Sequence, residues 1–118
     1  MKDLNHNERM EVEKVKKKVP KWMQKNYTQI NSVILLEFLA LQREQSHVTK
    51  DQLRTACSQW IAEEKFDGNF NQMVHFGPKN HGKVFTVHCG QIQLWKPVAD
   101  FIRSQHKIFI GSDEMPLP

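Results

Sequence analysis

HGKVFTVHCGQIQLW, residues His81 to Trp95, reads as two short strands joined by a tight turn. Val84, Phe85 and Val87 precede Cys89-Gly90, and Ile92, Leu94 and Trp95 follow it. Phe85 and Val87 alternate with Val84, Thr86 and His88, while Ile92 and Leu94 alternate with Gln91, Gln93 and Trp95. A period of two on both sides of a Gly-containing pair is the pattern of an antiparallel hairpin with one face packed inward.

The segments before the hairpin are helical in pattern. The strongest runs from near Thr28 or Asn31 to about Glu44, with Ile30, Ile34, Phe38 and Leu41 as a central stripe. Val33, Leu35, Leu36 and Leu39 spread its apolar surface around most of the circumference, so it needs cover on more than one side. An N-terminal helix or a second subunit could supply that cover. Gln45 to His47 is a polar connection, Val48 predicts a short strand contact, and Thr49 is a suitable N-cap. Leu53, Ala56, Cys57, Trp60 and Ile61 then repeat at helical spacing toward an end by Glu64. Asp67-Gly68-Asn69 predicts a turn, and Asn69 could cap a short helix from Phe70 to Phe76, stopped by Gly77-Pro78, with Phe70, Met73 and Val74 inward.

The N-terminal stretch is basic and amphipathic. Lys14, Lys17, Lys18, Lys21 and Lys25 fall on one side of a helical wheel, opposite Val12, Val15, Val19 and Trp22. Residues 1–8 show no periodicity and are expected to fray, and Pro20 predicts a kink or a break. After the hairpin, Lys96-Pro97 opens a last helix through Val98, Phe101 and Ile102; Lys107 to Ile110 reads as a β-prone run, followed by a Pro-containing tail. Three segments follow from this: a basic helical extension over 1–27, a domain over 28–104 and a strand or tail over 105–118. The fold class is mainly α with a small antiparallel β-hairpin.

Composition excludes several functions. The 118 residues carry a formal charge of +4, 39% hydrophobic and 25% charged residues, as in a globular protein. No apolar run approaches the roughly 20 residues that cross a bilayer, and Met1 to Val19 is too polar for a secretory signal, so a cytoplasmic protein with no membrane partner is expected. Cys57 and Cys89 lack CxxC spacing and are expected as free thiols. His75, His81, His88 and Cys89 match no zinc pattern, and Glu11, Glu13, Glu37, Glu63 and Glu64 scatter over different elements. No enzyme, metal or cofactor is predicted. Trp22, Trp60 and Trp95 each occupy an apolar position and read as core or interface anchors.

The order of elements from Ile30 to Trp95, three helices and then a hairpin, resembles the winged helix-turn-helix fold. The resemblance covers about half of the chain and implies DNA binding, with the third helix in the major groove and the hairpin, or wing, on the adjoining backbone. It places Asn71, Gln72 and His75 on the reading helix, with Lys79, Asn80 and His81 just beyond it and Lys83 or Lys79 as a phosphate contact. Asn and Gln can pair with adenine edges, and the lysines can meet phosphate. The wing tip at His88-Cys89-Gly90 carries no Arg or Lys, and Glu63, Glu64 and Asp67 precede the reading helix. Much of the attraction to double-stranded DNA therefore falls to Lys14, Lys17, Lys18, Lys21 and Lys25. The expectation is a small regulator of this type, a homodimer formed through the N-terminal, second or C-terminal helix. A winged-helix-like module that contacts another protein uses the same surfaces.

Overall fold

Two side chains close the first turn of helix α1 (His6–Lys25): Asn5 Oδ1 accepts from the Glu8 N–H at 2.8 Å, and Glu8 Oε1 accepts from the Asn5 N–H at 2.9 Å. This reciprocal cap satisfies two donors that a helix start otherwise leaves open, so order begins earlier than the aperiodic residues 1–8 suggest. The computed structural model describes residues 4–77, 80 and 82–113. The expected break at Pro20 does not occur. Proline removes one helical hydrogen bond, but Val15, Val19, Trp22 and Met23 are all buried on one face spanning it, and a break would expose part of that face.

A 3-10 turn (Asn26–Thr28) leads into α2 (Ile30–Glu44). Val33, Ile34, Leu35, Leu36, Phe38 and Leu39 of α2 are buried, and their cover comes from within the chain. α1 packs on one side; α3 (Lys50–Cys57) and α4 (Glu63–Gln72) pack on others. α3 starts as expected, because Thr49 and Gln52 form a capping box with hydrogen bonds of 3.0 and 3.2 Å.

The region after α3 departs from expectation. α3 stops at Cys57, whose carbonyl accepts from both the Trp60 and Ile61 N–H groups at 2.8 and 2.9 Å. This turn puts Trp60 outside the core, 50% exposed, with its ring 4.5 Å from that of Tyr27. Asp67-Gly68-Asn69, expected as a turn, lies inside α4. A mid-helix glycine costs about 1 kcal/mol. Against that, Phe66 and Phe70, one turn apart, are both buried and stacked at 5.4 Å, a gain of roughly 1.5–3 kcal/mol each. The helix therefore begins at Glu63, about two turns before the expected start at Phe70, and ends at Gln72. Phe70 and Met73 are buried and Val74 half-buried, in line with their apolar spacing.

The sheet is three-stranded and antiparallel, in the order β1-β3-β2, with β1 (Val48–Thr49), β2 (Phe85–His88) and β3 (Gln91–Leu94). Val48 pairs with Ile92, and Phe85, Thr86, Val87 and His88 pair with Leu94, Gln93, Ile92 and Gln91. Cys89 and Gly90 have φ of 53° and 77°, the positive values that a two-residue hairpin turn requires at both centres. Phe85, Ile92 and Leu94 are buried, whereas Val87 near the tip stays exposed. Phe85 is the main anchor, with its ring 5.0 Å from Phe38 of α2 and 5.5 Å from Phe70 of α4.

Helix α5 (Lys96–Asp113) begins with Pro97 in its first turn and packs on α1, burying Val98, Ala99 and Ile102. The run Lys107–Ile110, expected as a strand, continues this helix. Extending a helix that is already nucleated adds a hydrogen bond for each residue ordered, which overrides the modest β preference of isoleucine. The tail expected after Gly111 is likewise helical as far as Asp113, the end of α5, and from residue 114 onward it lies outside the described residues.

Phe38 has no exposed surface and holds the hairpin through Phe85. Phe38→Ala is expected to lower unfolding free energy by roughly 3–5 kcal/mol in urea denaturation, the range for a buried aromatic truncation that leaves a cavity.

Candidate nucleic-acid interface

The connection from α4 to β2 is fastened to α1 by buried or half-buried charges. Lys14 Nζ donates to the Gly77 carbonyl at 2.7 Å and to the Asn80 carbonyl at 3.5 Å. Glu11, buried on the same helix, lies 3.5 Å from Lys14 Nζ and accepts the Lys83 N–H through Oε1 at 2.9 Å. Lys83 Nζ donates in turn to the Val74 carbonyl at 2.6 Å and sits 5.8 Å from the centres of the Phe76 and Trp95 rings. Burial holds the Lys83 ammonium below the ordinary lysine range, with nearby Glu11 working in the opposite direction. Gly82 makes this approach possible: its φ is 135°, and a Cβ there would come 3.2 Å from Val15 Cγ2.

Three residues expected to face DNA are thus occupied by the fold. Lys14 and Lys83 satisfy loop carbonyls, and Asn80 Nδ2 donates to the His75 and Phe76 carbonyls at 3.1 and 2.9 Å. Lys79 and His81 lie outside the described residues. Asn71 and Gln72 form the last turn of α4, and His75 follows it, so the three do not make a continuous helical reading face. Asn71 and His75 are exposed and lie together, with His75 Nδ1 3.0 Å from the Asn71 carbonyl.

Two cations of the neighbouring α3 are matched by acids, whereas Lys65 of α4 is exposed without an ion pair among the described residues. Arg54 of α3 pairs with Asp51 and, at 3.1 Å, with Asp67; Lys50 Nζ is 3.7 Å from Asp67. Glu63 and Glu64 begin α4 with no basic residue in its last turn. On α1, by contrast, Lys17, Lys21 and Lys25 are exposed, Lys18 is half-buried, and none of the four has an ion pair among the described residues. They lie on the same side of α1 as Lys14, and Lys17 lines one hollow with Lys14 and with Phe76 and Gly77 of the α4–β2 connection. Glu11 was legible in the sequence only by position, since a helical wheel puts it between Val15 and Lys18, at the border of the buried face.

Among the described residues no group of three or more His, Cys, Asp or Glu side chains could hold a metal. Cys57 is buried, and burial, aided by Glu37, pushes its thiol up to about 12. Cys89 is exposed at the hairpin turn. No helix among the described residues is long and apolar enough to cross a membrane. Comparison with protein-family models, with curated proteins and with solved structures finds no match for this chain.

The Glu11 carboxylate should prove structural. Glu11→Ala leaves the Lys83 N–H without its acceptor and is expected to cost roughly 1–3 kcal/mol of stability in chemical denaturation. Glu11→Gln, which keeps an acceptor oxygen, is expected to cost less.

Proposed function

We propose that this chain is a non-enzymatic DNA-binding protein of winged-helix type whose phosphate contacts lie mainly on α1. The observation that carries the reading is the unpaired lysine side of α1, Lys17, Lys21 and Lys25 with Lys18, on the same side of the helix as Lys14, which fastens the connection that follows α4. The order α2, β1, α3, α4, β2, β3 and the strand order β1-β3-β2 support the winged-helix part. With Lys14, Asn80 and Lys83 occupied, contact to bases falls to Asn71, Gln72 and His75. Attraction through α1 is largely independent of sequence, because lysine meets phosphate as a point charge.

A second reading is favoured by a separate observation. Met10 and Phe76 are 59% and 45% exposed and line one hollow of about 830 Å³ together with His6, Arg9, Glu13 and Lys17. Exposed apolar side chains rimmed by charge suit a protein partner. Because α2 is covered within the chain, a homodimer contact would use the exposed apolar positions of α1 and α5, Met10 and Ile108. Light scattering that gives a monomer at all concentrations removes this part.

Fluorescence anisotropy with a duplex over a series of salt concentrations tests the DNA reading. Affinity is expected to fall steeply with salt, and each of Lys17→Glu, Lys21→Glu and Lys25→Glu should reduce the slope of log K against log salt by about 1 or more. Lys14→Gln should instead lower thermal stability. Absence of binding at low salt ends the DNA reading and leaves the protein-contact one.

A further inference from the structure

A second concentration of positive charge lies away from α1, between the end of α2 and the middle of α5. Arg43, Arg103, His106 and Lys107 line one groove of about 410 Å³ with Gln42 and Leu39, and no acidic residue lines it. Arg103, His106 and Lys107 are spaced i, i+3 and i+4, which brings them to one face of α5, and Arg43 approaches from α2. Arg43, Arg103 and Lys107 are exposed, His106 is half-buried, and none of the four has an ion pair or hydrogen bond among the described residues.

Acids are near in the chain but outside the groove. Asp100 precedes Arg103 by three positions without pairing with it, and Glu37 and Glu44 line a separate hollow that Arg43 also borders, without an ion pair to it. The end of a helix favours one cation, which accounts for Arg43 in the last turn of α2. It does not account for Arg103 and Lys107, which stand one turn apart as like charges and destabilise the free helix slightly. A bound anion attracts all of them and so offsets that repulsion.

We propose that this groove binds a phosphate group, with Arg43 and Arg103 as the forked donors and Lys107 and His106 completing the charge. Guanidinium forks match phosphate oxygens in pairs. Leu39, buried at the groove, offers an apolar wall to the remainder of a ligand, and Gln42 a hydrogen-bonding amide. The groove is of the size that holds a small phosphorylated molecule, and the same donors can also meet a backbone phosphate of a nucleic acid. Burial, and next the Arg43 charge, hold the His106 imidazole below its ordinary range, so it is mainly neutral at neutral pH. A phosphate beside it favours the imidazolium. Protonation of His106 therefore contributes to binding as pH falls, in opposition to the loss of charge by the phosphate itself. The charged and titratable groups facing His106 are Arg43 from α2 and Arg103 and Lys107 from α5.

The test is titration of the full chain with inorganic pyrophosphate at low salt, followed by amide NMR shifts. Saturable shifts should cluster at residues 42–43 and 103–107, and the double variant Arg43→Gln, Arg103→Gln should weaken binding by about tenfold or more while its far-ultraviolet circular dichroism is unchanged. The ratio of wild-type to His106→Gln affinity should rise from about pH 8 to about pH 6, a comparison in which the ionisation of pyrophosphate itself cancels. Lys17→Glu should leave pyrophosphate binding unaltered, which separates this site from the α1 proposal. Displacement of pyrophosphate by a short duplex identifies nucleic acid as the source of the phosphate, and persistence of the groove shifts in its presence identifies a small phosphorylated molecule. Absence of shifts at the groove, or unsaturable shifts shared with the α1 lysines, overturns the proposal.

Discussion

Phe85 sits between Phe38 and Phe70 with ring centres 5.0 and 5.5 Å away, and through it the sheet, α2 and α4 share one core. A four-residue hairpin arm has little independent stability in water, since its hydrogen bonds only replace those made with solvent. Burying an aromatic ring against two helices supplies the driving force that the strands lack. Once Phe85 is seated, β3 is aligned by its register with β2, and β1 joins through Val48 and Ile92. The capping box at Thr49 follows directly from that strand, so α3 is oriented by the same anchor.

The charges divide according to what the backbone near them requires. The α4–β2 connection carries carbonyls at Val74, Gly77 and Asn80 that lie near α1 and the core, and Lys14 and Lys83 satisfy them. Leaving such groups buried and unpaired costs roughly 1–3 kcal/mol each, more than a solvated lysine gains from remaining free. Lys17, Lys21 and Lys25 face no such carbonyls and are exposed without an ion pair among the described residues. The groove charges of α2 and α5 likewise have no ion pair among the described residues. Two cationic surfaces result from a chain whose net charge is only +4.

Much of the architecture was legible because its signals are local. The turn at Cys89-Gly90, the alternation of Phe85, Ile92 and Leu94, the Thr49 cap and the apolar stripe of α2 depend on residues within one element. The extent of α4 was not legible, because Asp67-Gly68-Asn69 is a turn signal that loses only when Phe66 and Phe70 find a core to enter. Trp60 was misplaced because its helical spacing continues past Cys57 although the helix does not. Of the candidate site residues, the exposure of Lys17, Lys21 and Lys25 followed from a helical wheel. The occupation of Lys14, Asn80 and Lys83 did not, since Lys14 meets Gly77 across 63 positions and Lys83 meets Glu11 across 72.

From the sequence alone came the mainly helical class, the hairpin, and the lysine side of the first helix, because side-chain periodicity and turn chemistry act over a few residues and survive without knowledge of the partner surface. The packing of distant segments decided which helices continue through weak positions, which tryptophan leaves the core, and which lysines remain available. It also brought Arg43 to Arg103, His106 and Lys107, whose adjacency no local pattern encodes. The physical reason is the same in each case. Burial and desolvation are set by everything that surrounds a side chain, and in this chain the surroundings come from segments up to 72 residues away.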